Sequence, residues 1–428
     1  MSRVLRIENI RPVQHGEPSQ ALTSVLVADG QIALIGDQAR HGEADQVIDG
    51  GGQWLLPGLI DLNCHLGEPG PDRRGTIATE TLAAARGGFT RVCAVPETSP
   101  VNDSSAVTHL IRDLAAQSGR VHVLPVGAMT RGLGGEHLSD MVGLSSAGCV
   151  ALGNGGRPLR DARVLRRCMA YAHTFGIRLF VQPENAVLAA DGCAHDGALA
   201  ARMGLPGIPA VAETTAVSEL LLLAEETGVR LHLGPLSCAR SVALVRAAKA
   251  QGLAVTADVT MHHLVYTDQV ITGFDGRYHV RPPLREESDR QALLRGVEDG
   301  VIDAICSQHR PQDHAAKQAP FAATEAGLST LETTLSLGLQ LVAQGQLSRT
   351  ALLRGLCQGP AEVLSEPVPE LAAGRVADLF LLDAQAQWAV SEETLLSTGK
   401  QAPALGERLP GVVSMTMVGG QIVYRAAD

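Results

Sequence analysis

Between about residues 57 and 366, short apolar runs alternate with amphipathic or Ala-rich stretches. Eight runs are strand candidates: 59–65, 89–95, 121–127, 149–152, 178–182, 230–233, 253–258 and 301–306. Helical patterns lie between them, over 78–86, 106–117, 162–174, 217–227, 240–251 and 290–297. Strands that are apolar on both faces, separated by helices, imply a parallel sheet covered on both sides. Eight such repeats predict an α/β fold, a (β/α)8 TIM-like barrel spanning 57–366, with a doubly wound open sheet as the alternative that pattern alone leaves open. The flanks alternate with the shorter period of exposed strands, broken by Asp29-Gly30, Gly50-Gly51-Gly52 and Gly419-Gly420. Residues 1–56 and 367–428 are therefore expected to form one small discontinuous β-sandwich from both termini.

Composition narrows the class. Hydrophobic content of 45% with 19% charged residues fits a folded globular chain, and a formal charge of −10 offers no basic face for nucleic acid or anionic lipid. No run of about 18 apolar residues suggests a membrane span. The eight cysteines (64, 93, 149, 168, 193, 238, 306 and 357) are scattered without a Cys-x-x-Cys pair, as in reduced cytosolic proteins. The segment Met1–Arg6 leads into polar sequence without a signal-peptide core, so a cytoplasmic location is expected.

A barrel of this kind carries its chemistry at the C-terminal ends of the strands. The first end reads Asp61-Leu62-Asn63-Cys64-His65-Leu66-Gly67-Glu68-Pro69-Gly70, where a metal hydrolase would place a His-x-His pair on one face of the strand. Only His65 is a donor there. The fourth end runs into Gly153-Asn154-Gly155-Gly156, the fifth into Gln182-Pro183-Glu184, the sixth into Gly234-Pro235 and the eighth into Ser307-Gln308-His309. The only lysines are Lys249, Lys317 and Lys400, none at a strand end, which excludes a carboxylated lysine bridging two metals. A zinc hydrolase needs three or more N, O or S donors and a position for the water it activates. Neutral amides at 63, 154, 182 and 308, with Pro235, do not supply them.

With these motifs the chain resembles the dihydroorotases, cyclic amidohydrolases of pyrimidine biosynthesis, over essentially its whole length. Asp61 to Gly70 is similar to Asp-x-His-x-His-x-Arg-Glu-Pro-Gly, with Asn63 at the first ligand and Gly67 at the substrate-binding arginine. Val95-Pro96-Glu97-Thr98-Ser99-Pro100-Val101 is similar to Met-Pro-Asn-Thr-Asn-Pro-Val, and Arg281-Pro282-Pro283-Leu284-Arg285 to Asn-Pro-Pro-Leu-Arg. On the same comparison Asn154 falls at an acidic ligand, Gln182 and Pro235 at histidines, and Gln308 at the catalytic aspartate. The resemblance implies a dihydroorotase homologue that is not an enzyme, without catalytic residues, metal or cofactor. The degenerate positions are Asn63, His65, Gly67, Asn154, Gln182, Pro235 and Gln308. It further implies a non-catalytic chain that dimerises and assembles with the aspartate carbamoyltransferase catalytic chain, in a dodecamer of six chains of each kind. Two other readings stay open: an active amidohydrolase with a site rebuilt from His65, Glu97, Glu184 or His309, and a regulatory module binding a small molecule in the pocket.

Single residues read more plainly. Asp61 is expected to orient the strand-end loop, and His232 and His309 to be satisfied polar groups. Glu184 is read as a loop residue. His262 and His263, as neighbours on a strand, would face opposite sides, and Cys64 and Cys306 would be buried inert thiols. The loop 310–327 is read as a lid or a partner contact.

Overall fold

Eight parallel strands run in chain order from Leu59–Cys64 to Ala304–Cys306 in the computed structural model, which describes residues 4–426. Between these two lie Phe89–Ala94, His122–Ala128, Ala151–Gly153, Leu179–Val181, Leu231–Leu233 and Val255–Thr260. First and last strands meet through a parallel bridge from Cys64 to His309, and the His65 N–H donates to the His309 carbonyl at 2.7 Å. The sheet therefore closes, which the open-sheet alternative does not allow, and the (β/α)8 expectation holds.

The elements follow from residue spacing. In the helix Ala162–Thr174 the buried positions are Val164, Leu165, Cys168, Met169 and Ala172, one stripe at helical spacing turned to the sheet, with Asp161 capping its first turn. The helix Ile77–Arg86 starts at a capping box between Thr76 and Thr79. Inside the barrel, Ile60, Leu62, Val126, Ala151, Ala304 and Cys306 pack against Ala361, Val363 and Leu364 of the helix Gly359–Leu364. That apolar plug fills one end and leaves the C-terminal strand ends as the open mouth.

The termini join in one nine-stranded sheet containing six N-terminal strands between Leu5 and Pro57 together with Leu379–Ala389, Arg408–Val418 and Gln421–Arg425. Leu5–Gln14 passes from one half of this sheet to the other. It pairs first with Thr23–Ala28 and Gln46–Asp49, then with Trp54–Pro57. Ile7, Val25, Val27, Leu379 and Met417 form a core separate from that of the barrel.

The closing seam is polar and fully buried. The Asp61 carboxylate accepts from the Ser307 N–H at 2.7 Å and the Ser307 hydroxyl at 2.6 Å. His309 Nε2 lies 2.8 Å from Glu80 Oε2, both side chains at 0% exposure, and its Nδ1 accepts from the Thr330 N–H. Glu80 also accepts from the Thr398 N–H at 3.0 Å, so the C-terminal segment is tied to the same point. Replacing Asp61 by Ala leaves a buried N–H and hydroxyl unpaired. It should cost about 2–6 kcal/mol in urea unfolding, at roughly 1–3 kcal/mol for each of the two orphaned groups. Burial raises the Asp61 pKa from 3.8 to about 6 despite the Ser307 hydrogen bonds. A folded pKa above the unfolded one means this stability contribution is full below pH 3.8 and lost as pH rises through about 6. The stability gap between wild type and Asp61→Asn should therefore shift against wild type across that window. An unchanged gap would contradict the assignment.

Candidate active site at the barrel mouth

A cavity of about 90 Å³ opens among the strand ends, bordered by Asn63, His65, Glu97, Gln182, His232, Asp258, His262, Arg281, Gln308 and Arg310. The first strand loses register between Asp61 and Cys64, so Leu62, Asn63 and His65 all reach its wall rather than alternating sides. His65 Nε2 stands 3.6 Å from Glu97 Oε2. Burial, with the nearby charges of Arg310 and Arg74, holds the His65 pKa well below 6.5, so the imidazole is neutral near pH 7. Glu97 also accepts from the Gly156 N–H at 3.3 Å, which ties the loop after the second strand to the loop after the fourth.

One side of the mouth is organised by Arg281. Its guanidinium makes a two-pronged pair with Glu184, at 2.8 and 2.7 Å, and its carbonyl accepts from Gln308 Nε2 at 2.9 Å and Gln182 Nε2 at 3.4 Å. Gln308 sits in a left-handed backbone conformation, φ +49°. The floor carries Asp258, bonded to His232 Nε2 at 3.0 Å, with His232 Nδ1 bonded to Thr256 at 2.8 Å. His262, 2% exposed, has neither ring nitrogen hydrogen-bonded, although the Gln308 amide lies alongside.

Of the seven positions singled out in the sequence, Asn63, His65, Gln182 and Gln308 converge on this cavity. Three depart from the expectation. Asn154 turns away, accepting from the Thr130 hydroxyl at 2.6 Å and donating to the Arg157 carbonyl at 2.7 Å, because these buried partners fix its loop. Gly234 borders the cavity, whereas Pro235 does not. Gly67 lies in an outer cavity of about 220 Å³ that shares His65, Glu97 and Arg310 with the inner one. Glu184 is more than a loop residue, since it anchors the Arg281 pair. His262 and His263 lie on the short helix Met261–Val265 instead of a strand. His263 is bonded to Thr260 at 2.7 Å, while His262 faces the cavity. Buried Cys64 and Cys306 have pKa values pushed well above 9 by burial and by nearby Asp61 and Asp258, so both stay protonated thiols. Asp258 and Arg310 were missed because their strand-end placement, rather than a motif, brings them here.

The donor set does not fit a zinc centre. Asn63, Gln182 and Gln308 are neutral carboxamides, two of them committed through their NH2 groups to one backbone carbonyl. Asn154 faces elsewhere, Pro235 offers no donor, and the sixth strand's His232 is already bonded through both ring nitrogens to Thr256 and Asp258. His65, Glu97, His232, Asp258 and His262 also border the cavity, but His232 and Asp258 are bonded to each other, and among the described residues no three His, Cys, Asp or Glu side chains converge as the metal group a zinc site needs.

The chain matches the family described as Dihydro-orotase-like over residues 52–241 and the Amidohydrolase family over residues 185–423. It is 42% identical to a Dihydroorotase-like protein of Pseudomonas aeruginosa, across 98% of this chain and 99% of that one. It is 41% identical to a Dihydroorotase of Anaeromyxobacter dehalogenans, across 99% and 98%. Its fold is similar to that of L-hydantoinase (dihydropyrimidinase) from Arthrobacter aurescens, with a TM-score of 0.88 and 25% identity over 100% of this chain and 97% of that one. These likenesses correct the expectation of a chain that is not an enzyme. Relatives 41% identical over nearly the whole length are named dihydroorotase and the fold neighbour is a hydantoinase, which points to enzymatic amidohydrolases.

Gly67 has φ +79°, and a Cβ there would lie 2.0 Å from the Gly75 carbonyl oxygen. An arginine at this position is therefore not simply missing; the closed 67–75 loop has no room for it. Gly67→Arg should lower stability by about 2–4 kcal/mol, from left-handed backbone strain plus the clash. Thermal unfolding checks this, and a Gly67→Arg protein as stable as wild type would refute the closed-loop account.

Proposed function

We propose, for a chain that belongs to the dihydroorotase-like amidohydrolases, that the barrel mouth receives a cyclic ureide of pyrimidine biosynthesis or its ring-opened carbamoyl amino acid. We propose further that it does so as a subunit assembled with the aspartate carbamoyltransferase catalytic chain. The observation that carries the ligand class is the ring of carboxamides, Asn63, Gln182 and Gln308, around one small cavity. A carboxamide offers a donor and an acceptor in one plane, as a ureide does. With the Gln182 and Gln308 NH2 groups held by the Arg281 carbonyl, their oxygens are left as acceptors for ring N–H groups.

The assembly is supported by a contrast within the chain. The barrel core and its closing seam are complete, while the expected donors are replaced at several strand ends. A packed barrel keeps a defined outer surface whatever its mouth contains. A two-fold chain joining three-fold enzyme units gives a closed dodecamer of six chains of each kind.

One observation favours a second reading, in which the pocket hydrolyses its ligand without a metal. His65 is a neutral imidazole with the Glu97 carboxylate 3.6 Å from its Nε2 at the cavity wall, close enough to orient it as a base once a ligand draws the two together. Because the imidazole is already neutral at pH 7, turnover would stay level across neutral pH and fall only in acid. Loss of dihydroorotate turnover in Glu97→Gln and His65→Asn would support it, and absence of turnover in wild type would end it.

The assembly is tested by expressing the transcarbamoylase with and without this chain and comparing mass and activity. The expected result is a larger complex and higher activity or stability when both are present. A transcarbamoylase that reaches the same mass and full activity alone would overturn it.

A further inference from the structure

Two arginines at the junction of the inner and outer cavities are not accounted for by the fold. Arg310 borders both cavities, and among the described residues its guanidinium makes no ion pair and no hydrogen bond. Arg74 borders the outer cavity. It spends one terminal nitrogen on Glu325 at 2.8 Å, while its Nε is buried without a partner. A guanidinium N–H left unpaired in the interior is costly and is ordinarily met by an acceptor. The carboxylates lining the outer cavity do not meet it. Glu68 accepts from the Ile77 N–H at 2.7 Å, and Glu97 is turned to the Gly156 N–H and His65. Both arginine charges are felt at His65, whose pKa they depress after burial has done so. At the opposite, inner end stands His262, with two unpaired ring nitrogens.

The strand-end position that carries the substrate-binding arginine in the resemblance is Gly67, where no side chain fits. An acidic ligand entering this mouth needs its counter-charge from another element. We propose that Arg310 supplies it, with the Arg74 Nε–H as a second donor, so that this pocket selects small carboxylates. The acid group lies where the two cavities join, and the ring amide or ureido group extends inward to His262. The inference rests on the ureide reading for the inner half of the ligand, whereas the anion half stands on the arginines themselves.

Titration calorimetry with three probes separates the halves: L-dihydroorotate, dihydrouracil (the same ring without the carboxylate) and succinate (carboxylates without the ring). The deciding variant is Arg310→Gln, since Arg310 braces nothing, with Arg74→Gln as its companion and thermal unfolding to verify that each is folded. Wild type should bind dihydroorotate at least about tenfold more tightly than dihydrouracil, the margin expected for a hydrogen bond to a charged group. Arg310→Gln should erase that margin while leaving dihydrouracil affinity unchanged, and Arg74→Gln should reduce it. Dihydroorotate binding that is equal in wild type and Arg310→Gln overturns the anion site and leaves the ureide reading standing. Succinate binding that depends on Arg310, with no affinity for either ring compound, supports the anion site and overturns the ureide reading. No Arg310-dependent binding by any of the three overturns the anion site.

Discussion

Closure of the barrel rests on a short line of buried polar contacts between its first and last strands. Asp61 holds Ser307, the His65 N–H reaches the His309 carbonyl, and His309 is held in turn by Glu80. Burying so many polar groups is tolerable only because each finds a partner. The arrangement has two consequences. It draws the eighth strand end, with Gln308 and Arg310, against the first, with Asn63 and His65. It also engages His309 and Asp61 fully, so that neither is free for chemistry at the mouth.

What remains at the mouth is a surface of amides and arginines set among His65, Glu97, His232, Asp258 and His262. Ion pairs that are only partly buried, such as Arg281–Glu184, add little net stability. The Arg281–Glu184 pair therefore fixes geometry more than it adds energy. It holds one carbonyl in position, and that carbonyl orients two glutamine amides. The strand ends are thus coupled through Arg281, where an amidohydrolase with a metal would couple them through the ion. The family supplies the barrel; the function has to be argued from the side chains that occupy its mouth.

The barrel was legible because fully buried parallel strands are apolar over their whole length, so each run stood out. Boundaries were less so. The run 301–306 predicts one strand, yet only Ala304–Cys306 joins the ladder, because Val301 and Ile302 are buried loop residues. The insertion after the fifth strand, with helices Ala186–Ala189 and Ala198–Met203, was invisible because elements of four to six residues carry too little periodicity. At the site, Asn63, His65, Gln182 and Gln308 could be placed from strand ends alone. The turning away of Asn154 depends on Thr130 and Arg157, and the exposure of Arg310 to both cavities depends on loop packing. Neither leaves a mark in local sequence.

The side chains at this mouth do not fit a metal centre, and its polar surface is organised by amides and arginines instead. Diffraction at the zinc absorption edge, from crystals grown with excess zinc, tests this most directly. The expected result is no anomalous peak in the cavity bounded by Asn63, His65, Gln182 and Gln308. A peak at about 2.0–2.3 Å from His65 and at least two further side-chain donors, the distances of a true zinc site, would contradict it.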